Sequence, residues 1–177
     1  MRSRPPEQKP LPATLTVSEG RDRYLNENGF TLEGYDKKWT PASVFGLSFS
    51  IPNTRKHRLA IMRHDLHHVA TGYGTDLIGE AEISAWELQK GVRGVGFYVG
   101  ALIASGALMG LIIAPRRTIA AFRASGTSAS LFESELTYDA LLAMSVGELR
   151  EILDVPHDGA ALVPRRLHSN APPLPAG

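Results

Sequence analysis

The sequence predicts an all-α protein, a compact helical domain in which two adjacent helices are followed by one long apolar helix. Three observations lead there. Leu59, Ile61, Met62, Leu66 and Val69 recur at helical spacing over residues 55–70. Gly94 to Ala114 runs for twenty-one residues without a charge. Alternation of the kind that marks strands is thin everywhere, weak even over Ser43–Ile51, which reads as helix or extended chain.

The elements follow in order. Residues 1–19 begin Pro-rich and charged and read as a disordered tail, and 157–177, with Pro164, Pro172, Pro173 and Pro175 among small and polar residues, read as another. The folded domain is then 20–156. Pro52 and Asn53 precede the helix of 55–70, where a proline is tolerated. Gly72 and Gly74 break that helix, and Thr75 or Asp76 can cap a second one over 76–90. Further helices are expected over 94–114, 115–125 and 145–154.

Within this frame, residues 64–80 concentrate metal-binding side chains. An α-helix advances about 100° per residue, so His64 and His68 share a face and Asp65 sits on its flank. A short turn lets Glu80, in the first turn of the second helix, fold back on them. The predicted metal site between the two helices therefore comprises His64, Asp65, His68 and Glu80, a set that suits zinc and also iron or manganese. The structural alternative is a polar helix face satisfied by local hydrogen bonds. His67 points about 60° to the other side of His64, as an outer residue or one facing solvent.

The sequence His-Asp-x-x-His, eleven residues, then Glu resembles the signature of the Coq-four family of ubiquinone-biosynthesis proteins. Arg63 before the motif, Thr71-Gly72-Tyr73 after it and Gly79-Glu80-Ala81 at its close are also similar to that family. So is the later text, from Tyr138-Asp139-Ala140-Leu141-Leu142 to Ser145-Val146-Gly147-Glu148-Leu149-Arg150 and Leu153. The resemblance spans roughly residues 39–156. It implies a mostly helical fold, a zinc held by the motif residues, an apolar groove for a prenyl chain and oxidative removal of a ring carboxylate from a prenylated aromatic quinone precursor. A relative recruited to another natural-product pathway would keep the four ligands.

The expected function is thus a metal-dependent decarboxylase or lyase acting on a prenylated or carboxylated aromatic substrate. His64, Asp65, His68 and Glu80 would act through the metal, and Arg63, Tyr73 and Arg116 are candidates for substrate contact. Zinc has no redox chemistry, so an oxidative step would need oxygen, another metal or a partner enzyme. The alternative is a non-catalytic lipid-binding scaffold that organises a biosynthetic complex. A phosphohydrolase of the His-Asp type needs a further upstream His, and His57 is the only one.

Composition narrows the partners. Net charge is +1, which gives no electrostatic footprint for nucleic acid. The absence of cysteine removes thiolate nucleophiles and Cys-type zinc sites. Residues 1–12 carry no apolar run of a secretory signal, so the expectation is a cytoplasmic protein, peripheral to the inner membrane if it contacts lipid. The 94–114 stretch, flanked by Arg93 and by Arg116-Arg117, reads as a buried helix of the core, as one lining a lipid tunnel or a homodimer face, as an interfacial helix, or as a span. His57, His157 and His168 lack partners at ligand spacing and read as surface residues.

Overall fold

The computed structural model describes residues 10–36, 39–44, 47–52 and 54–161. The chain is predominantly helical, with seven α-helices among the described residues: α1 (Val17–Glu27), α2 (Arg55–Thr71), α3 (Leu77–Lys90), α4 (Phe97–Ile113), α5 (Pro115–Arg123), α6 (Tyr138–Ala143) and α7 (Val146–Ile152). Short 3-10 turns cover Leu32–Asp36 and Leu131–Glu133. One departure from the all-α expectation is a two-stranded antiparallel hairpin, β1 (Trp39–Val44) and β2 (Leu47–Pro52), which takes up most of the ambiguous 43–51 segment. Its register pairs Trp39 with Pro52 and Val44 with Leu47.

Helix α1 was not expected, yet its start is locally encoded. Thr16 accepts a hydrogen bond from the Glu19 amide, and the Glu19 carboxylate reaches back to the Thr16 amide, a reciprocal cap that satisfies two otherwise orphaned donors. Ser145 and Glu148 form the same cap on α7. The two caps lie side by side: the Val17 amide donates to the Met144 carbonyl and the Val146 amide to the Leu15 carbonyl, 2.7 and 2.8 Å long.

These bonds correct the expected domain limits at both ends. Val17 is fully buried, Leu11 and Leu15 pack on the core, and the Gly147 amide donates to the Ala13 carbonyl, so the folded chain starts well before residue 20. At the other end the amides of Ala160 and Ala161 both donate to the Thr71 carbonyl, and Arg150 clamps the Ala70 and His157 carbonyls. Residues 157–161 are thereby fastened to α2, while the remaining stretches expected to be disordered, 1–9 and 162–177, lie outside the described residues, as do Asn53 and His168.

The core is built around α2 and α3. Leu66 and Val69 of α2, Ile83 and Trp86 of α3, and Leu131, Leu141, Leu149 and Leu153 are all essentially inaccessible to solvent. Helices α4 and α5 pack against α3 and against each other. In place of the expected long helix over 94–114, the chain forms the seventeen-residue α4, because Gly94 and Gly96 adopt φ of 87° and 86°, left-handed values that a helix cannot contain. No helix among the described residues is long and apolar enough to cross a membrane.

Close approach of α4 requires glycine at one position in particular. A Cβ on Gly110 would stand 2.5 Å from Thr118 Oγ1 of α5 and 2.7 Å from Ala81 Cβ of α3. Gly110→Ala is therefore expected to cost about 1–3 kcal/mol through overpacking and to lower the thermal midpoint by several degrees. Thermal denaturation by circular dichroism checks this; an unchanged midpoint would contradict the three-helix junction.

Candidate metal centre

The α2–α3 connection sets the site. Helix α2 ends at Gly72, which is left-handed at φ 75° and returns its amide to the His68 carbonyl. Asp76 caps α3 by accepting from the Gly79 amide at 2.7 Å, as its position predicts. A Cβ at Gly79 would fall on the Gly74 carbonyl, so only glycine lets the turn lie this close to the start of α3. Glu80 follows directly and faces α2.

Three of the four predicted ligands converge. His64 Nε2 and His68 Nε2 are 3.1 Å apart, and each lies 3.5 Å from a carboxylate oxygen of Glu80. All three donors fall within 4.8 Å of one another, as a metal-binding cluster requires. The His68 side chain is buried, that of His64 is one quarter exposed, and the Glu80 side chain is 43% exposed, so the cluster opens toward solvent on the α3 side.

Both imidazoles are held in an orientation that a metal ion could use. His68 Nδ1 donates to the Tyr73 carbonyl at 2.9 Å, and His64 Nδ1 donates to Glu87 Oε1 at 2.8 Å. Each bond leaves Nε2 as the donor facing the cluster, the arrangement by which an outer partner fixes tautomer and ring angle. Glu87 is fully buried on α3 and also accepts from His67 Nδ1 at 2.7 Å. His67 in turn accepts from the Leu131 amide at Nε2, 3.0 Å away. His67 is thus a buried outer residue of the site and does not face solvent.

The electrostatics match this wiring. Burial alone would raise the Glu87 pKa, yet the imidazoles of His64 and His67 bring it down to about 2. Burial would likewise depress His64, but Glu87 and Glu80 override it and hold its pKa well above the ordinary value of 6.5. Burial lowers that of His67 despite Glu87, which agrees with a neutral ring that donates at one nitrogen and accepts at the other. Glu80 is lowered by the two site histidines against the effect of its own burial.

Asp65, the fourth expected ligand, stands outside the converging set. Its Oδ2 accepts a hydrogen bond from the Tyr35 hydroxyl, and burial raises its pKa, although His64 and His68 pull the other way. Tyr24 of α1 completes this flank, stacking on the His68 ring at 5.3 Å between centroids and 21° between planes. Neither tyrosine carries a local sequence signal, since both reach the site from other elements.

The expected substrate contacts are placed differently. Arg63 donates to the carbonyls of Phe132, Ser134 and Leu136, bracing the 131–137 loop, and forms no ion pair with Glu80 or Asp76. Tyr73 is a core residue whose hydroxyl is buried without a hydrogen-bond partner. Arg116 is exposed on α5, and its neighbour Arg117 makes a two-bond ion pair with the buried Glu82. His57 is buried and not a surface residue, with both ring nitrogens unpartnered. An open apolar depression of about 430 Å³ lies at the start of α4, lined by Val92, Arg93, Gly94, Gly96, Phe97, Gly100 and Ala101, and includes none of the cluster residues.

Comparisons with protein-family models, with curated proteins and with solved structures give no match.

Replacing Glu87 by Gln keeps its size and removes its charge. The expected result is a folded protein whose zinc affinity falls about 10–100-fold, the usual effect of losing an outer partner of a ligating histidine. Competition against a chromophoric chelator measures it, and an affinity equal to that of the parent would contradict the role given to Glu87.

Proposed function

We propose that the chain is a metal-dependent enzyme, zinc being the best-suited ion, that removes the ring carboxylate of a prenylated or otherwise hydrophobic aromatic acid in quinone or related natural-product biosynthesis. The observation that carries this reading is the convergence of His64 Nε2, His68 Nε2 and a Glu80 oxygen, with both Nδ1 atoms tied to outer acceptors. Two imidazoles and one carboxylate are a donor set that catalytic zinc sites use, with a further position left for water or substrate.

When bound, zinc supplies a Lewis acid that stabilises negative charge on a carboxylate or phenolate oxygen. The chain's own residues do the rest. Glu87 and the Tyr73 carbonyl keep the two imidazoles from rotating, and Glu80 provides an anionic donor on the side open to solvent. Loss of the carboxylate breaks one carbon–carbon bond, releases carbon dioxide and leaves a ring carbon that must take up a proton. Asp65, the residue next to His64 and oriented by the Tyr35 hydroxyl, is the carboxyl group placed to pass that proton to the ring. For a prenyl tail, each methylene buried against apolar side chains contributes about 0.8 kcal/mol. The depression beside Phe97 offers such a surface.

Glu80→Ala is expected to abolish carbon dioxide release from a prenylated 4-hydroxybenzoate and to weaken zinc binding by more than the roughly 100-fold of an outer-shell change. Carbon dioxide release preserved in this variant would contradict the metal-dependent reading, and complex assembly preserved without metal would favour a scaffold instead. A second test is pH. Because Glu87 and Glu80 raise the His64 pKa, the metal-free protein gains stability from that ionised imidazole below about pH 6.5 and loses it as pH rises through the raised value. Binding of zinc at His64 would require loss of the Nε2 proton, so zinc affinity is expected to climb about tenfold per pH unit across that interval and then level off. Zinc titrations at several pH values check this, and a flat profile would contradict the assignment of His64.

A further inference from the structure

Residues 88–132 contain Lys90, Arg93, Arg116, Arg117 and Arg123 and not one Asp or Glu, whereas the other fourteen of the nineteen basic residues share the remaining chain with all eighteen acidic ones. Among the described residues, the cationic segment also holds most of the exposed large apolar side chains. On α4, Ile103, Ala107 and Gly110 face the interior, and the side turned away from them presents Phe97, Leu108, Leu111 and Ile112. Phe97 is 94% and Ile112 68% exposed. Helix α5 adds Ile119 and Phe122. Monomeric soluble proteins rarely show so many large apolar side chains on one pair of contiguous helices without a partner to cover them.

We infer that the outer face of α4 and α5 docks on an anionic lipid bilayer, with Phe97, Leu108, Leu111, Ile112, Ile119 and Phe122 entering the acyl boundary and Arg93, Arg116 and Arg123 contacting the headgroups. The charge decides between occupants. Arg93 stands just before α4 and Arg116 just after it, both exposed, so the apolar stripe has a cation at each end. Pairing α4 with the α4 of a second copy, antiparallel, would bring the Arg93 end of one helix beside the Arg116 end of the other, with no acidic residue within either segment to offset them. An anionic surface complements both ends at once. Two neighbours moderate the patch: Glu82 already pairs with Arg117, and the Glu133 carboxylate accepts from the Arg93 backbone amide, leaving the guanidinium groups of Arg93, Arg116 and Arg123 as the lipid-facing cations. No helix among the described residues, α4 included, is long and apolar enough to cross a membrane.

The test is sedimentation of the full chain with vesicles of phosphatidylcholine and phosphatidylglycerol in equal parts, and with phosphatidylcholine alone, in the presence of a chelator so that the outcome does not depend on the metal centre. Binding to the anionic vesicles is expected to exceed that to neutral ones by at least tenfold and to weaken with added salt. Each arginine near an anionic surface is worth roughly a fivefold change in partitioning, so Arg116→Glu with Arg123→Glu should reduce binding well over tenfold. Ile112→Asp should reduce it comparably by placing a carboxylate in the acyl boundary. All three changes are at exposed positions, and circular dichroism confirms that the variants remain folded. Equal binding to both vesicle types, or variants that bind like the parent, would overturn the inference. So would a dimer in analytical ultracentrifugation that Ile112→Asp dissociates, since a second copy would then be the occupant.

Discussion

The buried carboxylate of Glu87 is the constraint from which the rest of the centre follows. A charged group enclosed between α2 and α3 would cost several kcal/mol if unpaired. Here one of its oxygens accepts from two imidazoles on successive turns of α2, His64 and His67. Those two bonds fix the relative rotation of the helices. They also settle both tautomers: His64 must turn Nε2 toward Glu80, and His67 must turn Nε2 toward the Leu131 amide. A single side chain thereby aligns one imidazole of the candidate metal cluster and anchors the loop that Arg63 braces.

The turn between the helices carries the second requirement, that Glu80 arrive at the right height. Gly72 ends α2, Asp76 starts α3, and the Gly74–Gly79 approach keeps the connection tight. Tyr73, caught in this turn, contributes its carbonyl to His68 and its ring to the core. Backbone geometry and ligand orientation are thus specified by the same few residues. The eleven-residue spacing between His68 and Glu80 has a physical meaning in the helix end and turn it encloses.

Much of this was legible in the sequence because it is local. Spacing by four placed His64 and His68 on one face, and the glycines and Asp76 located the helix break to within a residue or two. Glu87 also carries a sequence signal, for it lies seven residues after Glu80 and so on the same side of α3. The start of α1 was equally readable in Thr16 and Glu19, a capping pair masked by the proline-rich run before it. Tyr24, Tyr35 and the departure of Asp65 from the donor set were not readable, since they depend on elements brought together only by folding. The apolar run of 94–114 was too long as read because hydrophobicity is blind to φ, and Gly94 and Gly96 delay the helix.

The most direct test is X-ray absorption spectroscopy of the zinc-loaded protein beside a His64→Ala variant. Near-stoichiometric zinc is expected in the parent, with a coordination shell of two imidazole nitrogens completed by oxygen, and loss of one imidazole is expected in the variant. A parent that binds no zinc, or whose shell is unchanged by removing His64, would contradict the assignment of this cluster as a metal centre.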